Sequence, residues 1–268
     1  MKLALCQTDI IWENKEENLK QAAVYIKKAA ENGSEFIVFP EMSFTGFTVS
    51  VEKCGEVFEN SETLERVRAM AAENNIAVGF GMIVREKGKN LNRFAVVDNK
   101  GELIGFYDKI HPFSYSREGE FFSGGNRLFT TEIGDTKISC FVCYDLRFPE
   151  IFTAAGDDSD LFIVIANWPA SRINQWSSLL RARAIENQCY IAGINRTGEG
   201  DGIVYNGRTA VFDCYGNLAA ERDDSPGITY CEIIPDNVKY YRSKFRMRAD
   251  RQPRLYAGLL NKNSSFAD

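Results

Sequence analysis

Apolar residues along this chain come in short unbroken runs, separated by stretches in which they recur every three or four positions. The runs read as strands covered on both faces, and the recurrences read as amphipathic helices. Lys2 to Gln7 is the first run. Asn14 then caps a predicted helix reaching about Asn32, with Leu19, Ala22, Ala23, Ile26 and Ala29 at helical spacing. Phe36 to Phe39 is a second strand, which Pro40 stops. Ser61 opens a second helix with Leu64, Val67, Met70 and Ala71 on one side, and Ile76 to Val84 is again strand-like.

The middle of the chain changes character. Arg93 to Val97 and Leu103 to Tyr107 flank the turn residues Asp98-Asn99-Lys100-Gly101, which predicts a hairpin. Leu128 to Ile133 and Lys137 to Cys143 flank Gly134-Asp135, which predicts another. Alternation then resumes, with a strand at Leu161 to Ala166, a helix at Asn174 to Asn187 and a strand at Tyr190 to Asn195. Strands at Thr209 to Phe212 and Ile228 to Ile233 follow, and Pro235 suits the first turn of a last helix. The class is α/β with mixed sheets, no linker, and a strand-helix-strand rhythm shared by the two halves.

Composition narrows the function classes. Apolar residues make up 44 % and charged residues 26 % of 268 positions, which is soluble-protein usage. A net charge of -5 disfavours nucleic acid and anionic membrane as partners. The basic stretch Lys244 to Arg254 reads as a solvated or subunit-contacting face. Seven cysteines scattered through apolar runs suit free thiols in a reducing cytoplasm better than a disulfide framework. Met1 to Cys6 is too short for a lipoprotein signal and reads as the buried first strand. No stretch is long enough to span a bilayer as a helix.

In open α/β sheets, functional groups gather just past the carboxyl ends of strands. Three such exits here carry reactive side chains: Glu41 after Phe36 to Pro40, Lys109 after Gly105 to Asp108, and Cys143 after Ile138 to Val142. A thiol must become a thiolate to attack carbon. Glu41 is a candidate base, and Lys109 a candidate cation that favours the thiolate and holds an oxyanion. A lone cysteine is more often a core residue, but the charged segment Tyr144 to Glu150 weighs against that here. Cys140 and Cys143 form a CxxC, yet residues three apart on a strand point to opposite faces and no second pair completes a zinc site. The single His111 keeps a Cys-His peptidase open as a rival, and a binding module without chemistry is a second.

These segments resemble those of the nitrilase, or carbon-nitrogen hydrolase, superfamily. Phe39-Pro40-Glu41 looks like its catalytic glutamate segment, Tyr107 to His111 like its lysine segment, and Cys143 to Glu150 like its nucleophile segment. The resemblance covers nearly the whole chain. It implies a four-layer α-β-β-α sandwich over 1–246, an extended tail over 247–268 able to pack on a partner subunit, and a homodimer. It also implies a second glutamate, Glu118 with Glu120 as runner-up, and an oxyanion held by Lys109 and the backbone N–H of Tyr144. No metal or organic cofactor is expected.

Within the superfamily, the run from Ala166 through Trp168 and Arg172, then Trp176 and Arg181 to Gln188, is similar to omega-amidases. That branch implies the terminal amide of a small 2-oxo acid as substrate. Arg172 would meet its carboxylate with a forked pair. Trp168, Phe44 and Phe47 would wall the pocket, and Arg147 with Glu150 would form a structural ion pair. Other short-chain amidases and N-carbamoyl-amine hydrolases stay as alternatives.

Overall fold

The computed structural model describes residues 1–263. The first sheet has the spatial order Gly227–Glu232, Lys2–Gln7, Phe36–Val38, Ala77–Glu86, Lys89–Val97, Leu103–Asp108, with the short Glu56–Val57 also paired to Ala77–Glu86. The second has the order Leu218–Glu221, Ala210–Phe212, Tyr190–Asn195, Leu161–Ala166, Thr136–Val142, Thr130–Ile133. Each sheet has a core of three adjacent parallel strands flanked by antiparallel ones, and the short Glu56–Val57 adds a fourth parallel strand to the first.

Period-2 alternation explains the continuous apolar runs. Leu3, Leu5, Phe36 and Val38 point from the first sheet into the space between the sheets, where they join Ile138, Cys140 and Val142. Their neighbours Ala4, Cys6, Ile37 and Phe39 point outward, under Leu19, Ile26, Leu64 and Val67 of the helices Lys15–Glu31 and Glu62–Asn74. Helices Pro149–Ala155 and Ile173–Asn187 cover the outer face of the second sheet through Phe152, Trp176 and Leu180. The result is the four-layer α-β-β-α sandwich, in which strands apolar on both faces are buried on both faces.

Local signals placed the helix starts. Asn14 Oδ1 accepts from the Glu17 N–H and Ser61 Oγ from the Leu64 N–H. Both anticipated hairpins form. A further hairpin, Thr197–Gly200 with Ile203–Asn206, makes a separate two-stranded sheet that the hydrophobic pattern did not announce, because two of its eight paired residues are glycine.

The tail departs from expectation. Residues 247–250 form a 3-10 turn and Pro253–Asn263 is an α-helix, not an extended segment; residues 264–268 lie outside the described residues. Pro253 starts this helix rather than breaking one, which its fixed φ and missing N–H suit. Nor are Arg248 and Arg251 merely solvated. Their guanidinium groups reach Thr153 O, Glu186 O and Asn187 Oδ1, at the ends of two helices whose last carbonyls lack intrahelical donors.

Candidate active site

Chain direction brings the three exits to one end of the sandwich. Phe36–Val38 and Ala77–Glu86 are parallel, and the strand Leu103–Asp108 follows two antiparallel reversals, so it runs the same way. Glu41 and Lys109 therefore leave the first sheet at the same edge. Cys143 leaves the second sheet there, as does Asn167 after Leu161–Ala166.

The Glu41 loop is pressed against Ala77–Glu86. The side chain of Ser43 and its N–H bond to the backbone of Gly81, and a Cβ on Gly81 would lie 2.4 Å from Met42 N. Only glycine permits that approach. Met42 next to Glu41 has φ +45°, and Cys143 itself has φ +46°. Non-glycine residues take this left-handed region at a cost of about 1–3 kcal/mol, and do so where the surroundings over-determine them. At Cys143 the surrounding restraint is Asp145, which is fully buried. Its carboxylate accepts from Val142 N at 3.2 Å, Tyr107 Oη at 2.8 Å and His111 N at 3.1 Å, and lies 2.8 Å from His111 Nδ1. It ties the nucleophile turn to the Lys109 segment across the two sheets.

Lys109 Nζ donates to Glu41 Oε1 at 3.0 Å and to the two carboxylate oxygens of Glu118 at 3.0 and 2.8 Å. Asn92 Nδ2 bridges the same two acids, at 2.7 Å from Glu41 and 2.9 Å from Glu118. The other oxygen of Glu41 accepts from the Asn167 N–H at 2.9 Å, and Phe113 N donates to Glu118 Oε2. All of these acids and the ammonium are at most 1 % exposed. Burial alone would lower the pKa of Lys109, but Glu118 and Glu41 outweigh it and hold the ammonium above its usual range. Cys143 is half-buried, with Sγ 3.9 Å from Asn167 O. Desolvation, then the Glu41 charge, push its thiol well up, against a lowering pull from Lys109.

Above these groups opens a small pocket of about 70 Å³, lined by Lys109, Cys143, Tyr144, Asn167, Trp168, Phe47 and Phe113 among others. The backbone N–H of Tyr144 is in the first turn of the 3-10 segment Cys143–Arg147, where no intrahelical acceptor exists.

Several expectations need correction. Phe44 does not wall the pocket; it is buried under the first sheet between Phe39 and Phe80, as its size and apolarity favour. Phe47 and Trp168, the other two aromatics expected there, do line the pocket. Arg147 does not pair with Glu150. It lies over the Trp168 ring at 4.8 Å and donates to Gln175 Oε1, because the tight turn after Cys143 aims it into the pocket. Arg172 also lines the pocket, over Phe113 at 5.5 Å. Of the two candidate glutamates, Glu118 meets Lys109, while Glu120 is exposed and pairs with Arg117. The His111 ring is engaged by Asp145 and stacks on Phe148 at 3.8 Å, which removes the support for a Cys-His pair. Asn92, Asp145 and Asn167 were not singled out from sequence. Asn92 lies among Lys89, Asn90 and Arg93 in the polar first half of its strand, so nothing in the sequence set it apart. Among the described residues no group of three or more His, Cys, Asp or Glu side chains could hold a metal ion.

The comparisons with known proteins agree with this geometry. The carbon-nitrogen hydrolase family model matches residues 2–243. The omega-amidase YafV of Yersinia enterocolitica is 31 % identical over 247 residues, spanning 91 % of this chain and 94 % of its own length. The 2-oxoglutaramate amidase of Bacillus subtilis (strain 168) is 31 % identical over 257 residues, spanning 95 % and 98 %. The crystal structure of a carbon-nitrogen hydrolase superfamily protein from Xanthomonas campestris, solved with an arsenic adduct in its active site, superposes with a TM-score of 0.89 at 28 % identity, covering 94 % of this chain and 97 % of that one. The match to the family model over nearly the whole length, joined to the fold, establishes that this chain belongs to the carbon-nitrogen hydrolase family.

Proposed function

We propose that this enzyme hydrolyses the terminal amide of small 2-oxo acid amides, releasing ammonia and the dicarboxylate through a thioester on Cys143. The observation that carries the reading is the convergence of a thiol, an ammonium and a carboxylate at the floor of one small pocket. Glu41 takes the thiol proton as Sγ bonds to the amide carbon. Lys109 and the Tyr144 N–H hold the oxyanion, and one such donor is worth about 3–4 kcal/mol of barrier. Glu41 returns the proton to nitrogen, the C–N bond breaks and ammonia leaves. The same carboxylate then takes a proton from water as its oxygen attacks the thioester, and the sulfur is released as thiol. Glu118 and Asn92 fix the Lys109 ammonium.

Two features support an acidic substrate. Arg147 and Arg172 both line the pocket, and among the described residues neither makes an ion pair. A forked carboxylate contact suits a guanidinium so placed. The named activities of the omega-amidase and 2-oxoglutaramate amidase relatives point the same way. The reading includes a homodimer, with the exposed Leu255, Tyr256, Leu259 and Leu260 face of the tail helix at the contact; sedimentation of the full chain tests that part.

The reaction is tested by ammonia release from 2-oxosuccinamate, 2-oxoglutaramate, glutamine, N-carbamoyl amines and nitriles, with Cys143→Ala as the blank. Preference for the oxo acid amides is expected. Turnover of an N-carbamoyl amine or a nitrile in their place sinks the substrate assignment.

A further inference from the structure

The hairpin Thr197–Gly200 with Ile203–Asn206 stands apart from both main sheets, yet it supplies part of the pocket wall. Alternation along its second strand turns Ile203 and Tyr205 to the pocket, while Val204 between them is 58 % exposed. The hairpin is anchored at its base. Arg196 is fully buried and donates to Thr197 O, Ile10 O and Glu199 O, with its guanidinium 4.6 Å from the Tyr205 ring. Thr197 adds a bond from N to Thr8 O and one from Oγ1 to Asp224 O. Tyr205 is thus held in place by its backbone and by its ring.

Its hydroxyl is a different matter. Tyr205 is 3 % exposed as a residue, and among the described residues no hydrogen bond reaches its Oη; that atom is not one of the fully buried polar atoms without a partner, so it opens on the pocket space. Tyrosines with a buried ring ordinarily find a protein partner for that group; here the ring is held and the hydroxyl is left to the pocket. A pocket-lining phenol left open is poised for something that arrives from solution. The other polar groups on the floor are already committed in the proposed reaction: Lys109 and the Tyr144 N–H to the amide oxygen, and Glu41 to proton transfer. The remaining walls carry the aromatic rings of Phe47, Phe113 and Trp168, with Arg147 and Arg172 as the cations assigned to a substrate carboxylate.

We propose that Tyr205 is a substrate-binding residue, whose hydroxyl donates a hydrogen bond to an oxygen acceptor on the acyl chain of the substrate, beyond the reacting amide. This rests on the proposed amidase reaction and deepens it, because a 2-oxo or carboxylate oxygen is such an acceptor and a hydrocarbon chain has none. Burial, opposed by Arg196 but reinforced by Glu41 and Cys143, keeps the phenol protonated and hence a donor. The side chain takes no part in bond making. It selects among amides.

The test compares wild type and Tyr205→Phe on 2-oxosuccinamate, succinamate and butyramide, which carry an oxo and a carboxylate group, a carboxylate only, and neither. Wild-type turnover of 2-oxosuccinamate is read first, and its absence sinks the proposed substrate class. The Tyr205 assignment is read separately, from ratios. The loss of kcat/KM on an acceptor-bearing amide should exceed the loss on butyramide by about tenfold, the size of one good hydrogen bond, and should fall mainly on KM. Equal losses on all three amides, or a loss confined to kcat, overturn it. Melting temperature and the rate of Cys143 labelling by iodoacetamide detect any general damage. As a second readout, calorimetric binding of 2-oxosuccinamate to Cys143→Ala should weaken about tenfold when Tyr205→Phe is added; unchanged binding overturns the assignment without any need for turnover.

Discussion

At the floor of the pocket two carboxylates share one ammonium. Lys109 lies between Glu41 and Glu118, and Asn92 braces both acids. At the wall and mouth the pattern inverts: Arg147 and Arg172 face aromatic rings and an amide, and among the described residues no group hydrogen-bonds the Tyr205 hydroxyl. A paired buried cluster is stiff, and its members lose much when one is removed. Unpaired groups in a pocket cost stability and are repaid only when ligand arrives. The contrast assigns chemistry to the floor and selection to the wall.

The largest effect should come from breaking the floor. Lys109→Met leaves two buried carboxylates without their cation, and loss of about 3–5 kcal/mol of folding stability is expected, along with hydrolysis. Denaturant unfolding and ammonia release measure both. The sign of the pH dependence in wild type follows from the raised ammonium. Its contribution to folding is complete below the ordinary lysine value of about 10.4 and fades only as pH rises through the higher folded value. A stability loss between pH 5 and 8 traced to Lys109 would contradict the pairing.

Glu41→Gln sharpens the same comparison by separating thiol reactivity from turnover. Hydrolysis should fall by about 10²–10⁴-fold with the general base gone. The carboxylate also pushes the Cys143 thiol up, so its removal should move the onset of iodoacetamide labelling to lower pH. Labelling that begins at higher pH than in wild type would reverse the assigned electrostatics.

On the mouth side, Arg172→Ala should raise KM for 2-oxosuccinamate by about tenfold to a hundredfold, the worth of a charged hydrogen bond. KM for butyramide should hardly move. Equal shifts on both substrates would discard the anchor role. The smallest expected effect belongs to Asn92→Ala, which removes the brace while leaving the ammonium and both carboxylates in place. A cost of about 1–3 kcal/mol in stability is expected, with kcat reduced more than KM.

The unbroken apolar runs marked strands of the first sheet as covered on both faces, and local caps at Asn14 and Ser61 are read within four residues. The three motif segments made Glu41, Lys109 and Cys143 legible as a set. Phe44 and Arg147 were misplaced for one reason: each follows a reactive residue by a few positions through a turn with positive φ, and side-chain direction after such a turn does not follow strand alternation. The tail helix was missed because Pro253 both ends and begins helices, and only the following residues distinguish the two.

Sequence alone determined which residue types were available at the strand ends and most of the strands and helices, the Thr197–Asn206 hairpin and the tail helix excepted, since those depend on contacts a few residues long. The tertiary structure decided that Asn167 meets Glu41 across 126 positions, that Asp145 clips His111 and Tyr107 to the nucleophile turn, and that Tyr205 enters the pocket with a hydroxyl that no group among the described residues hydrogen-bonds. These are pairings between sheets and between a hairpin and a distant turn. Chain spacing carries no trace of them, because burial and orientation exist only once the two sheets have packed.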